Sequence, residues 1–123
     1  MEVLIISKGT EMLSVPVERL VYVASEGNYS KVVTQDSRHR IVSFQLGQIE
    51  DLINKQIGDA ASRFTRLGRC LIVNLDFVYF IDISKQTLIL SDCLNFYEEL
   101  SAPRESLIKL KAYIEALTAY GIQ

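Results

Sequence analysis

Ser62-Arg63-Phe64-Thr65-Arg66-Leu67-Gly68-Arg69-Cys70-Leu71-Ile72-Val73-Asn74 spaces Arg63, Arg66 and Arg69 evenly, interrupts them with a glycine, and runs straight into an apolar segment. Phe64 to Leu67 and Leu71 to Val73 read as short strands separated by Gly68 and Arg69, with Asn74 to Phe77 as the next turn. A guanidinium carries five donors and a permanent charge, so arginines beside a buried strand fill a core poorly and suit phosphates well. Arg66 and Arg69 flank the glycine, whereas Arg63 reads as an ordinary solvated residue.

Outward from this segment the chain is mostly hairpins. Val3 to Ser7 and Met12 to Val15 flank Lys8-Gly9-Thr10-Glu11, Pro16 closes the second run, and Val17 to Leu20 suits a single helical turn. Leu20 to Ser25 and Tyr29 to Thr34 enclose the turn signal Glu26-Gly27-Asn28, and His39 to Phe44 follows Asp36-Ser37. Downstream, Val78 to Ile83 and Thr87 to Leu90 pair around Ser84-Lys85-Gln86, and Leu94 to Leu100 reads as a last strand. Helical periodicity occurs twice. Ser43 is an expected N-cap for a short helix through Asn54 with Leu46, Ile49, Leu52 and Ile53 on one side, and Gln56 to Ser62 reads as a loop. Pro103 suits the first turn of a C-terminal helix to about Ala119, with Leu107, Leu110, Ile114 and Leu117 as its apolar stripe and Lys109, Lys111 and Glu115 in water. Many short strands with two helices predict a mainly β chain, and the pattern lacks the strand–helix alternation of a doubly wound sheet.

At 123 residues and 49% hydrophobic, the chain reads as one domain over residues 1–123 with enough apolar surface for a core. The apolar runs are too short for a transmembrane helix and the N-terminus lacks signal-peptide features, so a cytoplasmic chain away from membranes is expected, with no receiver or membrane module. Cys70 and Cys93 have neither metal-ligand nor framework spacing and read as reduced, semi-buried residues. The net charge of -2 counts against a nucleic-acid partner unless it is segregated, and it is: residues 19–69 carry +3 and residues 70–100 carry -4.

Catalysis finds little support. His39, the only histidine, stands between Arg38 and Arg40, with no nucleophile or carboxylate tied to it by a recognisable spacing. No glycine-rich phosphate loop, metal set or cofactor motif is present in the sequence, so neither an enzyme nor a cofactor is expected. Two further polar clusters stand out. Ser25-Glu26-Gly27-Asn28-Tyr29-Ser30-Lys31 needs its glycine and asparagine for a turn, yet also sets an amide, a phenol and an ammonium at one hairpin tip, a combination able to meet base edges and phosphates. Ser101-Ala102-Pro103-Arg104 puts an arginine in the first turn of a helix, where the dipole disfavours it and where free N–H groups favour anions.

At these three places the chain resembles the LytTR family of bacterial DNA-binding domains. Ser-Glu-Gly-Asn-Tyr-Ser-Lys-Val is similar to that family's Glu-Gly-Asn-Tyr-Thr pattern. Phe64-x-Arg66-x-x-Arg69-x-x-Ile72-Val73-Asn74 is similar to its Phe-x-Arg-x-His-Arg-Ser-x-x-Val-Asn pattern, with Gly68 in place of histidine and Cys70 in place of serine. The resemblance runs from about Val3 to Ile114. It implies an elongated arrangement of small, mostly antiparallel sheets with a short mid-chain helix and a C-terminal helix, whose edge loops enter the major groove. It further implies a response-regulator output domain acting in transcription regulation on double-stranded DNA, at direct-repeat promoter sites, with a second copy on the DNA or an upstream signalling partner. Carried over position by position, the DNA contacts fall on Asn28, Tyr29 and Lys31, on Arg66 and Arg69, and on Ser101 and Arg104; Phe64, Ile72, Val73 and Asn74 become structural. The alternative is a protein-interaction or antagonist domain of the same fold with weak or no DNA binding, which the acidic balance favours.

Overall fold

The apolar segment after Gly68 becomes the heart of the sheet system. A computed structural model describes the backbone of residues 2–122 and the side chains of residues 2–118. The strands are β1 (Val3–Lys8), β2 (Glu11–Pro16), β3 (Leu20–Glu26), β4 (Tyr29–Thr34), β5 (His39–Val42), β6 (Phe64–Leu67), β7 (Leu71–Asn74), β8 (Val78–Asp82), β9 (Thr87–Ser91) and β10 (Tyr97–Ser101). Helix α1 (Leu46–Ile57) lies between β5 and β6, and α2 (Arg104–Ile122) follows β10. Every strand pair is antiparallel. They form a five-stranded sheet in the order β5-β4-β3-β7-β6, a three-stranded sheet β10-β9-β8 and the β1-β2 hairpin.

Side chains alternate across β7, which divides the core in two. Ile72 joins Leu4, Ile6, Val15, Val23 and Val32 beneath Ile49, Ile53 and Ile57 of α1. Leu71 and Val73 join Tyr22, Val33, Leu88, Leu90 and Phe96 beneath Leu107 and Leu110 of α2. Both faces of β7 are therefore covered, and a strand buried on both faces is written as a continuous apolar run. Asn74 ends that run fully buried, donating from Nδ2 to the Leu20 carbonyl at 2.8 Å and accepting the Asp76 N–H at 3.0 Å on Oδ1.

The mainly β architecture with two helices is as expected, and several local expectations need correction. Helix α1 starts at Leu46, not after a Ser43 cap: the Ser43 carbonyl accepts Lys8 Nζ at 2.8 Å and the Phe44 carbonyl accepts Ser30 Oγ at 2.7 Å, which holds both residues in a bend outside the helix. Gln45 precedes the helix and its N–H donates to Gln48 Oε1 at 2.8 Å. The helix runs one turn beyond Asn54, because Ile57 continues the buried series and the Gln56 carboxamide pairs with both backbone groups of Ile5, each at 2.8 Å. The expected loop after it is a 3-10 turn, Gly58–Arg63. Strand β5 stops at Val42, short of Phe44.

The last strand begins at Tyr97, not Leu94. Asp92 Oδ1 accepts the N–H groups of Leu94, Asn95 and Phe96 at 2.8–2.9 Å, curling these residues into a turn that leaves Leu94 83% exposed. On α2, Leu117 is 59% exposed and does not join the apolar stripe, since deep burial on this helix ends at Leu110. Cys70 and Cys93 are exposed rather than semi-buried, because Cys70 belongs to the turn before β7 and Cys93 sits at φ +62° in the Asp92 turn. No helix among the described residues is long and apolar enough to cross a membrane.

Asp92 also ties the two larger sheets together. Gln35 Nε2 donates to its Oδ2 at 2.8 Å and, with the amides of Phe96, Leu94 and Asn95, holds the carboxyl well below its ordinary value of 3.8. A carboxyl depressed in the folded state stabilises above its unfolded pKa, and that contribution is lost as pH falls through the folded pKa. Asp92→Asn is therefore expected to be less stable than the native chain at pH 7, and the gap to narrow steadily below about pH 4. Urea unfolding of both proteins across that range measures it.

Candidate nucleic-acid interface

The register of the five-stranded sheet brings two of the three polar clusters to one end. Glu26 pairs with Tyr29 to close the β3-β4 tip, and Ala24 pairs with Leu71 at the start of β7. The Ser25 N–H then donates to the Cys70 carbonyl at 2.8 Å, which fastens the β6-β7 turn beside that tip. The third cluster arrives from the other layer. A Cβ at Gly68 would lie 3.4 Å from Ser106 Oγ and 3.8 Å from Pro103 Cγ, so the turn abuts the first turn of α2. That turn is held down by Leu107, which is completely buried one turn into the helix.

Gly68 is explained by its backbone, since a Cβ there would make only ordinary contacts. It lies at φ +61°, where an L side chain strains against the following carbonyl, so the hairpin takes a glycine at this position. Gly68→Ala is expected to destabilise by about 1–2 kcal/mol, the cost of one left-handed non-glycine residue, measured by urea unfolding.

Each residue of interest has a distinct setting. Asn28 and Tyr29 are exposed at the β3-β4 tip, Tyr29 by 51%. Lys31 is half-buried, its Nζ 5.8 Å from the centre of the Tyr22 ring. Tyr22 itself is buried and donates to Glu98 Oε2 at 2.6 Å; burial first, and then that carboxylate, push its hydroxyl far up, so it stays protonated and locks β3 to β10. Arg69 is exposed, and no ion pair or hydrogen bond occupies its side chain among the described residues. Ser101, at the end of β10, and Arg104, the first residue of α2, are exposed. Pro103 stands just before the helix instead of inside it.

Arg66 differs from all of these. Its side chain lies on the sheet face toward α1, with Nη1 2.9 Å from Glu50 Oε1 and Nε donating to the Gly68 carbonyl at 3.0 Å. Arg63 has a looser partner, its Nε 3.8 Å from Asp76 Oδ2. Two residues at this end escape the sequence reading. Glu50 looks like any outward carboxylate on an amphipathic helix, and Lys8, in the β1-β2 hairpin, reaches the Ser43 carbonyl and stands 5.3 Å from the Phe44 ring centre. Only contacts distant in sequence mark them. Among the described residues no group of His, Cys, Asp and Glu is placed to hold a metal ion.

No protein-family model matches the chain, and no curated protein matches it. Among solved structures it is similar to a LytTr DNA-binding domain from Bacillus cereus, at 19% identity and a TM-score of 0.58, over 95% of this chain and 96% of that one. At that identity the likeness concerns the fold, and it spans all three sheets and both helices. The chain therefore has the fold of a LytTR DNA-binding domain.

Proposed function

We propose that this chain is a sequence-specific double-stranded DNA-binding domain that regulates transcription through loops inserted into the major groove. The observation that carries the reading is the meeting of the Ser25–Lys31 tip, the Gly68–Cys70 turn and the first turn of α2 at one end of the molecule. Exposed Arg69 and Arg104, with Lys31, supply cations for phosphates, and Asn28, Tyr29 and Ser101 supply the neutral groups that reach base edges. The free N–H groups at the start of α2 add to the anion-attracting end of the helix dipole. The acidic balance of the whole chain does not oppose this, because the residues carrying -4 belong to the segment 70–100, chiefly the three-stranded sheet. The likeness in fold to a DNA-binding domain supports the same reading.

The test is selection of bound genomic fragments followed by affinity measurements on the selected duplex over a range of salt. The logarithm of the binding constant is expected to fall with the logarithm of salt by roughly 0.9 per phosphate contact. Arg69→Ala is expected to weaken binding to all sequences and to reduce that slope by about 1. A protein that retains no fragment at about 50 mM salt, or binds with no salt dependence, overturns the proposal and favours a protein-interaction domain of the same fold.

A further inference from the structure

We infer that Arg66 is a positioning residue: it braces the β6-β7 turn from α1 so that Arg69 is presented to DNA, and does not itself neutralise a phosphate. The inference rests on the DNA-binding reading above and gives one of its residues a different role.

The geometry of the guanidinium points this way. The guanidinium is committed in two directions, Nε to the Gly68 carbonyl at 3.0 Å and Nη1 to Glu50 Oε1 at 2.9 Å. Glu50 stands on a rigid platform, since its neighbour Ile49 is completely buried beneath α1 and Ile53 nearly so. The guanidinium lies against the first turn of that helix, where a Cβ at Gly47 would be 3.8 Å from Nη1. On its other side the turn rests on Pro103 and Ser106. Gly68 is thus held between α1 and α2, and the residue after it, Arg69, is the exposed one.

Charge counting agrees with the geometry. Arg66 and Glu50 form a neutral unit, and a neutral unit displaces no net counterion from DNA. Engaging a phosphate would require Arg66 to give up or share a close carboxylate that is already only partly solvated, at 31% and 41% side-chain exposure for the two partners. An unbraced turn would have to be ordered during binding, and ordering a mobile loop weakens association without altering the number of phosphates contacted.

The deciding variant is Arg66→Met combined with Glu50→Gln, which removes the pair while leaving the net charge unchanged. On the selected duplex it is expected to bind about 3- to 10-fold more weakly with the salt slope of the native protein, in contrast to Arg69→Ala. In the free protein, backbone 15N relaxation is expected to show greater mobility at Gly68, Arg69 and Cys70, with the rest of the spectrum retaining native dispersion. A salt slope lower by about 1, or a turn as rigid as in the native chain, overturns the inference. If the native protein binds no duplex, the DNA reading fails by itself, and the relaxation comparison, made without DNA, still upholds or overturns the brace.

Discussion

Leu107→Ala is expected to lower the free energy of unfolding by about 3 kcal/mol and the melting temperature by roughly 10 °C. Leu107 has no exposed surface and lies in the same buried cluster as Phe77, Leu88, Leu90 and Leu110, so truncation removes its apolar surface and leaves a cavity among side chains from several elements. The backbone around it has little room to collapse. The Leu107 N–H is bonded to the Pro103 carbonyl at 3.1 Å, and Ala102, also buried, donates to the Gln86 carbonyl at 3.2 Å. Urea unfolding measures the stability, and DNA affinity supplies a second readout. Because Leu107 fixes the helix turn against which Gly68 rests, the proposed DNA binding is expected to weaken even at temperatures where the variant remains folded. Ile108→Ala, one residue further on and 43% exposed, is the matched control and is expected to change either quantity little.

Asn74→Ala is expected to cost about 2–3 kcal/mol, an effect that arises from hydrogen bonding rather than volume. The carboxamide is fully buried and works in both directions, donating to Leu20 and accepting from Asp76. Alanine leaves the Leu20 carbonyl without its donor at the place where β3 begins, and frees the 3-10 turn Leu75–Phe77 that carries buried Phe77 into the core. A buried polar group left unpaired costs the full loss of hydration, whereas a satisfied one contributes only modestly. Asn74→Asp separates the two halves of the interaction. It keeps the acceptor for Asp76, loses the donor to Leu20, and places a carboxylate in the interior, so it is expected to be at least as destabilising as alanine at pH 7 and to recover partly as the pH falls towards the carboxyl's own raised pKa. Chemical unfolding at pH 7 and pH 5 distinguishes the variants.

Local chemistry written in neighbouring residues was readable directly. The Glu26-Gly27-Asn28 turn, the Ser84-Lys85-Gln86 hairpin and the Leu71 to Val73 strand each depend on backbone preferences and short periodicities, and each is present in the structure. Element ends were less legible, because they are decided by partners far along the chain. Ser43 is a good cap by type, but Lys8 and Ser30 take the carbonyls of Ser43 and Phe44 first. Leu94 is a good strand residue by type, but the Asp92 carboxylate gathers the amides around it into a turn. Leu117 completes an apolar spacing that the sheets no longer reach.

The same division applies to the candidate interface. That Asn28, Tyr29, Lys31, Arg66, Arg69, Ser101 and Arg104 are polar groups in or beside turns is legible from neighbouring residues alone, since turn chemistry and charge are properties of a few adjacent positions. Which of these share one end of the molecule depends on long-range contacts, namely the Ser25–Cys70 hydrogen bond and the contact of Gly68 with α2. The fold also separated two arginines that look alike in the Ser62–Asn74 segment. Pleating turns Arg66 toward α1, where Glu50 meets it, while the glycine turn carries Arg69 clear of every acid among the described residues. A side chain's charge is encoded at its own position, but its partner is set by whichever strand and helix the fold brings alongside.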